Sequence, residues 1–134
     1  LNSGETTNQN AMKLSAKQLA AVMKAGLIMT NADGKVQDEE LKVIINELKS
    51  FNVSAEQGKL LYEVADAMSV DEMVEQLKPL SLSDKKYICG YLVAIIVVDG
   101  DVDDNEAQAW KAISTLCDFP EMTAAEALAY WRNN

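Results

Sequence analysis

The spacing of apolar residues limits this chain to one class of fold. From Met12 onward, apolar side chains recur every three or four residues, as on one face of an α-helix, and the alternation typical of β-strands never persists. The sequence therefore predicts an all-α fold of about seven helices in a compact bundle. Its 134 residues match the size of one domain, and 49% of them are hydrophobic, so a core can form without disulfides or structural zinc.

Helix starts are marked by capping boxes, in which Ser or Thr precedes Gln or Glu by three residues. The two side chains of a box satisfy two backbone N–H groups that the first helical turn leaves unpaired. Boxes begin at Ser15, Ser54, Ser69 and Thr123. Further helices are predicted from about Asp38, from about Ser81 and after Asp99-Gly100, and the first two helices are predicted to end near Asn31 and Ser50.

The predicted helices differ in the surface that they bury. The fifth helix is apolar nearly all round between Tyr87 and Ile96, which is typical of the buried centre of a bundle. The third and sixth helices each have a single apolar face. Their predicted buried residues are Leu60, Leu61, Val64 and Met68 in the third, and Ala107, Trp110, Ile113 and Leu116 in the sixth.

The sequence also repeats itself. The segment from Asp33 to Glu40 returns 66 residues later as Asp99 to Glu106, with five of eight positions identical. Each copy lies between two amphipathic helices, which indicates a duplicated helical unit. We predict a flexible leader at 1–14 and a single helical domain at 15–134, with half-repeats of about 15–68 and 81–132 and a linker helix at 70–78.

Charge and residue inventory exclude several classes of function. A net charge of −9 argues against nucleic acid as the main partner and favours a divalent cation or a basic protein surface. The chain has no histidine, which excludes Ser-His-Asp catalysis and His-ligated zinc or iron. Cys89 and Cys117 lie in apolar runs without a CxxC spacing, so we expect buried free thiols in a reducing compartment.

The sequence has no pattern typical of membrane insertion or export. Its longest apolar stretch, Tyr87 to Val98, is about 12 residues, whereas a membrane helix needs about 20. The segment Leu1 to Ala11 lacks the basic and apolar regions of a signal peptide. We therefore expect a cytoplasmic protein without membrane insertion, with Met12 as a candidate start.

The repeated motif, D-G-x-V-x-D-x-E, is unusually acidic. Its two copies hold nine of the 21 acidic residues. Turn formation at Gly34 and Gly100 and capping of the following helices explain about half of these acids. The remaining carboxylates repel one another, and a cation with oxygen ligands, such as Ca²⁺ or Mg²⁺, commonly relieves such repulsion. A complete EF-hand loop is excluded because Met29, Ile95 and Val97 occupy liganding positions.

With this motif the chain resembles the TerB-like domain family, which includes the tellurite-resistance protein TerB and the N-terminal domain of the co-chaperone DjlA. The resemblance rests on Ala32 to Val36 with Glu40, and on Val98 to Val102 with Glu106. In helix order and spacing it extends from Ser15 to Trp131. It implies an all-α domain with internal duplication, no established catalytic activity and an association with tellurite and other stress responses.

The resemblance also implies a metal site in the acidic turns. The metal ligands proposed for the family correspond here to Asp33, Glu40, Asp99 and Glu106, with Asp38 and Asp104 as flanking acids. Gln37 departs from the small capping residue usual in the family. The absence of a His-Pro-Asp signature excludes a complete DnaJ-type co-chaperone. The sequence leaves open which cation binds, whether the two turns form one site, and the oligomeric state.

Two other functions stay open. A structural interaction domain would use an exposed patch with Met122, Tyr130 and Trp131, although aromatic residues at helical spacing are usually buried. A metal-dependent hydrolase would use the paired carboxylates with Mg²⁺, but the chain has no glycine-rich phosphate loop. The leading hypothesis is a non-enzymatic module that binds a divalent cation or a basic protein partner.

Overall fold

A computed structural model describes residues 14–30, 38–97 and 104–134, with Glu40 described by its backbone alone. Across these ranges the chain forms seven α-helices and one short 3-10 helix, and no strand. The α-helices are α1 (Ala16–Thr30), α2 (Asp38–Glu47), α3 (Ala55–Ala67), α4 (Val70–Leu77), α5 (Leu82–Val97), α6 (Asp104–Leu116) and α7 (Ala124–Asn133), and the 3-10 helix, Leu48–Phe51, follows α2 directly. The all-α prediction is confirmed.

The predicted capping boxes form at the starts of four helices. At α3, the Ser54 hydroxyl accepts a hydrogen bond from the Gln57 backbone N–H at 3.1 Å, and the Gln57 side chain accepts one from the Ser54 N–H at 2.9 Å. Reciprocal pairs of the same kind open α1, α4 and α7. Because each box uses only neighbouring residues, these boundaries follow directly from local sequence.

The helices pack in two similar groups. In the first half α1 packs against α3, and in the second half α5 packs against α7. Contacts between the halves are reciprocal, since α1 contacts α6 while α5 contacts α2, and α1 and α5 also contact each other. The linker helix α4 packs on α1. This exchange of partners is the pattern that a pseudo-two-fold arrangement of a duplicated unit produces.

Helix α5 is the centre of the bundle, as predicted from its apolar surface. Its residues from Ile88 to Ile96 are buried on every side. Gly90 lies where α7 comes closest, and a Cβ atom there would overlap the Cβ of Trp131 and the backbone carbonyl of Ala127. The absence of a side chain at Gly90 therefore permits the extensive contact between α5 and α7.

The buried face of α3 differs from the prediction. Leu60 and Val64 are 67% and 50% exposed, whereas Leu61 and Ala65 are buried. The close approach of α2 explains this rotation: a Cβ at Gly58 would lie only 2.8 Å from Cγ2 of Ile45, so the smallest residue of α3 faces its neighbour. In α6, Ile113 is buried as predicted, Ala107 and Trp110 are half-buried, and Leu116 is 50% exposed.

The α-helical part of α2 ends earlier than predicted. It stops at Glu47, and the 3-10 helix continues to Phe51, where Asn52 adopts a left-handed conformation with φ 64°. Asp118, 66 residues later, has φ 57° after α6. Matching hydrogen bonds close both ends: the N–H groups of Asn52 and Val53 donate to Lys49 and Leu48, and those of Asp118 and Phe119 donate to Thr115 and Ser114. The repeat thus extends beyond the acidic motif to the ends of the following helices.

Candidate functional site

The acidic turns are only partly covered by the described structure. Asp33 and Asp99 lie outside the described residues, and so does the side chain of Glu40. Asp38 and Asp104 are exposed and begin α2 and α6, and Glu106 is half-buried in the first turn of α6. The three described acids thus occupy first turns, where the helix dipole favours negative charge.

The helices that lead into the two turns contact each other near their ends. A Cβ at Gly26, one turn before the end of α1, would lie 3.2 Å from the Cδ1 atom of Ile95, near the end of α5. The same position lies 3.7 Å from a methyl group of Ile44 on α2. The penultimate turn of α1 and the last turn of α5 are therefore neighbours within the core.

The described residues contain no group of three or more His, Cys, Asp or Glu side chains arranged to hold a metal ion. Two of their carboxylates have a structural task instead. Hydrogen bonds from the backbone and then the hydroxyl of Ser69 lower the pKa of Glu72, and those from Thr123 lower the pKa of Glu126. Both carboxylates are thereby held ionised as helix caps.

The two cysteines are buried free thiols, as predicted from their apolar surroundings. Burial, followed by the proximity of Cys117, raises the pKa of Cys89 to about 12. Burial also raises the pKa of Cys117 to about 11, although the nearby Lys85 acts in the opposite direction. Because the thiolate is the nucleophilic form, neither cysteine is suited to covalent catalysis.

The patch near α7 is less exposed than a structural interaction domain would require. Met122, Tyr130 and Trp131 are half-buried, and Met122 and Trp131 pack against the core. The Trp131 indole N–H donates a hydrogen bond to the Ser50 hydroxyl at 3.3 Å, which ties α7 to the first half. Core packing thus explains most of the aromatic pattern near α7.

Sequence reasoning did not identify a groove between α6 and α7. It has a volume of about 650 Å³, and its wall includes the connecting residues Pro120, Glu121 and Met122. The available signal was a change in the repeat spacing, from 66 residues at the acidic motif to 69 between Ser54 and Thr123. That change marks three extra residues in the second half.

Comparisons with known proteins agree with this architecture. The family model for the tellurite resistance protein TerB matches residues 19–129. A protein of unknown function from Porphyromonas gingivalis W83, known from a crystal structure, is 36% identical, covers 92% of this chain and 99% of its own, and superposes with a TM-score of 0.81. No curated protein matches the chain significantly. None of the helices in the described ranges is long and apolar enough to cross a membrane. The family match spans most of the sequence, from within α1 to within α7, and the chain therefore belongs to the TerB family.

Proposed function

We propose that this chain is a non-enzymatic TerB-like module whose two acidic turns bind a divalent cation, Ca²⁺ or Mg²⁺. The observation that carries the proposal is the contact between α1 and α5 near their ends, where Gly26, one turn before the end of α1, lies beside Ile95 in the last turn of α5. Each of these helices leads directly into one copy of the acidic motif. Neighbouring helix ends favour a joint contribution of carboxylates from the two copies.

The chemistry of the available ligands favours a hard cation. The chain has no histidine, and its two thiols are buried with raised pKa values, so carboxylate and carbonyl oxygens are the ligands that remain. Ca²⁺ and Mg²⁺ prefer oxygen ligands, whereas zinc and iron sites generally use nitrogen or sulfur. The proposed ligands are Asp33, Glu40, Asp99 and Glu106, with Asp38 and Asp104 in support.

The same inventory supports a role without catalysis. The chain has no histidine to act as a general base near neutral pH, and neither thiol is suited to nucleophilic attack. We therefore propose that the cation alters stability or partner binding. The family's description, tellurite resistance, supports a place in a stress response, and the reducing environment expected for free thiols supports a cytoplasmic location.

A second candidate is an interaction module that needs no cation. Leu60 and Val64 on α3, together with Val70 at the start of α4, are large apolar side chains exposed by 43% or more. Leu60 and Val64 are four residues apart and share one face of α3, and exposed apolar side chains that lie together commonly mark a protein contact. This alternative predicts that the acidic turns act only as helix caps.

Calorimetric titration of the metal-stripped protein with Ca²⁺, Mg²⁺, Mn²⁺ and Zn²⁺ separates the two candidates. We expect saturable heat with Ca²⁺ or Mg²⁺ and a rise in melting temperature, because a ligand that binds only the folded state stabilises it. Both effects should disappear in Asp99→Asn with Glu106→Gln. The fitted stoichiometry also reports whether the turns bind jointly or singly.

A matched control removes two acids elsewhere. Glu63→Gln with Asp66→Asn neutralises two exposed carboxylates of α3 and should retain both heat and thermal shift. Equal losses in the two double variants would indicate general attraction of cations to an acidic protein. An absence of heat and of thermal shift with all four metals would contradict the cation proposal and favour the interaction module.

A further inference from the structure

The groove between α6 and α7 combines an apolar floor with an opening of ligand size. Its apolar lining comes from Trp110, Phe119, Pro120 and Met122, and its volume is about 650 Å³. Binding pockets for small ligands and short peptide segments typically have volumes of about 300–1,000 Å³ and mainly apolar walls. The groove is therefore large enough for one or two side chains of a partner.

The groove lies where the two halves connect their last helices differently. In the first half, the left-handed residue Asn52 is followed by Val53 and then directly by the capping residue Ser54. In the second half, residues 120–122 are inserted between Phe119 and the capping residue Thr123. The same three residues line the groove. Because only the second half has this insertion, the groove can serve a function that the first half does not share.

The charges around the groove are mostly negative. Asp118, Glu121 and Glu126 contribute carboxylates and Lys111 contributes one cation. Asp118 and Glu121 are exposed and hence available to a ligand. One carboxylate oxygen of Glu126 accepts the Thr123 N–H at 2.9 Å, so this charge is held in place beside the groove.

The acidic side of the groove is also anchored to the core. The backbone carbonyl of Asp118 accepts a hydrogen bond from Nζ of Lys85 at 3.1 Å, and Lys85 is only 8% exposed. The neighbouring Phe119 is buried and its N–H donates to Ser114 at 2.8 Å. Because the backbone is already fixed, little ordering entropy is lost when a ligand binds there.

We propose that this groove docks a basic peptide segment of a partner protein, with an apolar side chain over Trp110 and Phe119 and flanking Lys or Arg residues beside Asp118 and Glu121. The apolar floor selects against a ligand that is only cationic. The three carboxylates attract Lys and Arg side chains and repel acidic ones, so the groove favours basic segments over acidic and neutral apolar segments. This site is separate from the acidic turns and does not depend on cation binding.

The chain supplies its own fluorescent reporter for this groove. It has two tryptophans: Trp110 lines the groove, whereas Trp131 packs beside Gly90 in the middle of α5 and bonds to Ser50 of the 3-10 helix. Trp131→Phe therefore leaves Trp110 as the sole indole. We expect a short blocked peptide of lysine and leucine to change its emission saturably in metal-free buffer at physiological salt.

Two peptides and two variants decide the result. A lysine and serine peptide of equal charge should bind at least about tenfold more weakly, since it lacks apolar groups to bury. Asp118→Asn with Glu121→Gln should weaken the lysine and leucine peptide about three- to tenfold through two lost charge contacts. Asn52 occupies the matching left-handed position in the first half, so Asn at 118 is compatible with the fold. The control, Glu63→Gln with Asp66→Asn on α3, should leave affinity within about twofold.

Other outcomes overturn the proposal. The first is the absence of a saturable change in Trp110 emission. The others are equal affinity for the lysine and serine peptide, and an equal loss of affinity in the α3 control variant, and either would indicate unspecific attraction to an acidic surface. Deletion of residues 120–122 gives an independent measure, because it joins Phe119 to Thr123 as Val53 joins Ser54. If the deletion variant keeps its helical circular dichroism, it should lose peptide binding, and retained binding would contradict the groove assignment.

Discussion

The two halves of this molecule share the backbone turns that end their helices and differ in the side chains that fill their cores. Both end their second helical segment with a left-handed residue, Asn52 or Asp118, closed by the same pair of backbone hydrogen bonds. Their central helices differ greatly in side-chain size at matching positions. Ala25 in α1 and Tyr91 in α5 are 66 residues apart, and both are fully buried.

This difference shows that the repeat conserves backbone turns more strictly than core volume. The Tyr91 hydroxyl donates to the Ile44 carbonyl on α2 at 3.1 Å, so the larger side chain of the second half links it to the first. In the first half, α1 instead buries several alanines and packs against α3 and α4. Local turn geometry tolerates few residue types, whereas a core accepts many combinations of similar total volume.

The largest expected effect comes from a glycine of the second half. Gly90→Ala should destabilise the protein by about 2–3 kcal/mol, because the new methyl group meets a backbone carbonyl on α7 that cannot turn away. Gly26→Ala in α1 is the matched substitution, since its new Cβ is tight only against the end of the Ile95 side chain, at 3.2 Å, and makes ordinary contacts with Ile44. Its cost should be largely offset by the helix propensity of Ala, about 1 kcal/mol.

Urea denaturation of the two glycine variants tests this contrast between the halves. We expect a much lower midpoint for Gly90→Ala and a nearly unchanged midpoint for Gly26→Ala. Similar midpoints would mean that α7 shifts easily along α5, and the close contact at Gly90 would then have no special importance.

A smaller effect is expected from Tyr91, whose buried hydroxyl joins the halves. Tyr91→Phe should cost about 1 kcal/mol, the usual net contribution of a buried hydrogen bond. Tyr87→Phe is a close control, because the rings of Tyr87 and Tyr91 both pack edge-to-face on Phe51 at about 5 Å. The Tyr87 hydroxyl also donates to a backbone carbonyl, but that hydrogen bond is exposed. Thermal unfolding should show a smaller loss for Tyr87→Phe, and the reverse order would refute the link through Tyr91.

The smallest effect concerns pH and the caps of α3 and α7. The first half uses Gln57 and the second uses Glu126 in the same role, and the pKa of Glu126 is lowered by its hydrogen bonds to Thr123. A lowered folded-state pKa means that the stabilisation is full above the unfolded pKa and is lost as the pH falls through the folded pKa. Glu126→Gln should thus reduce the loss of unfolding free energy as the pH falls below neutral.

Urea midpoints at neutral pH and near pH 3 measure this pH dependence. The reverse substitution, Gln57→Glu, should increase this loss, because it places a titratable cap in the first half. Glu121→Gln removes an exposed charge beside the same helix and serves as the control for net charge. An equal reduction of the loss by Glu121→Gln would show that general repulsion, rather than the cap, sets the pH dependence.

Sequence predicted those parts of the fold that depend on near neighbours. Each capping box joins residues three apart, and the apolar surface of α5 indicated its central place before any partner was known. The buried face of α3 could not be predicted in this way. Leu60 is strongly apolar and by its sequence alone should be buried. The close approach of Ile45 instead requires that α3 turn Gly58 toward α2, and only the tertiary structure provides that information.

The candidate sites divide in a similar manner. The acidic motif is visible in sequence because its residues are contiguous, although contiguity does not give a ligand geometry. The groove combines Trp110 on α6 with Glu126 on α7, so its residues belong together only after folding. Its one sequence signal, the three extra residues before Thr123, indicates an insertion and gives neither its shape nor its charge.

The hydrogen bond between Trp131 and Ser50 has a consequence for cooperativity. It joins residues 81 positions apart and, with the reciprocal contacts of α1 and α5, makes each half part of the other's core. Neither repeat is then an independent folding unit, and unfolding should occur in one transition with equal calorimetric and van't Hoff enthalpies. The duplicated halves thus form a single thermodynamic unit, in which a substitution that destabilises one copy also destabilises the other.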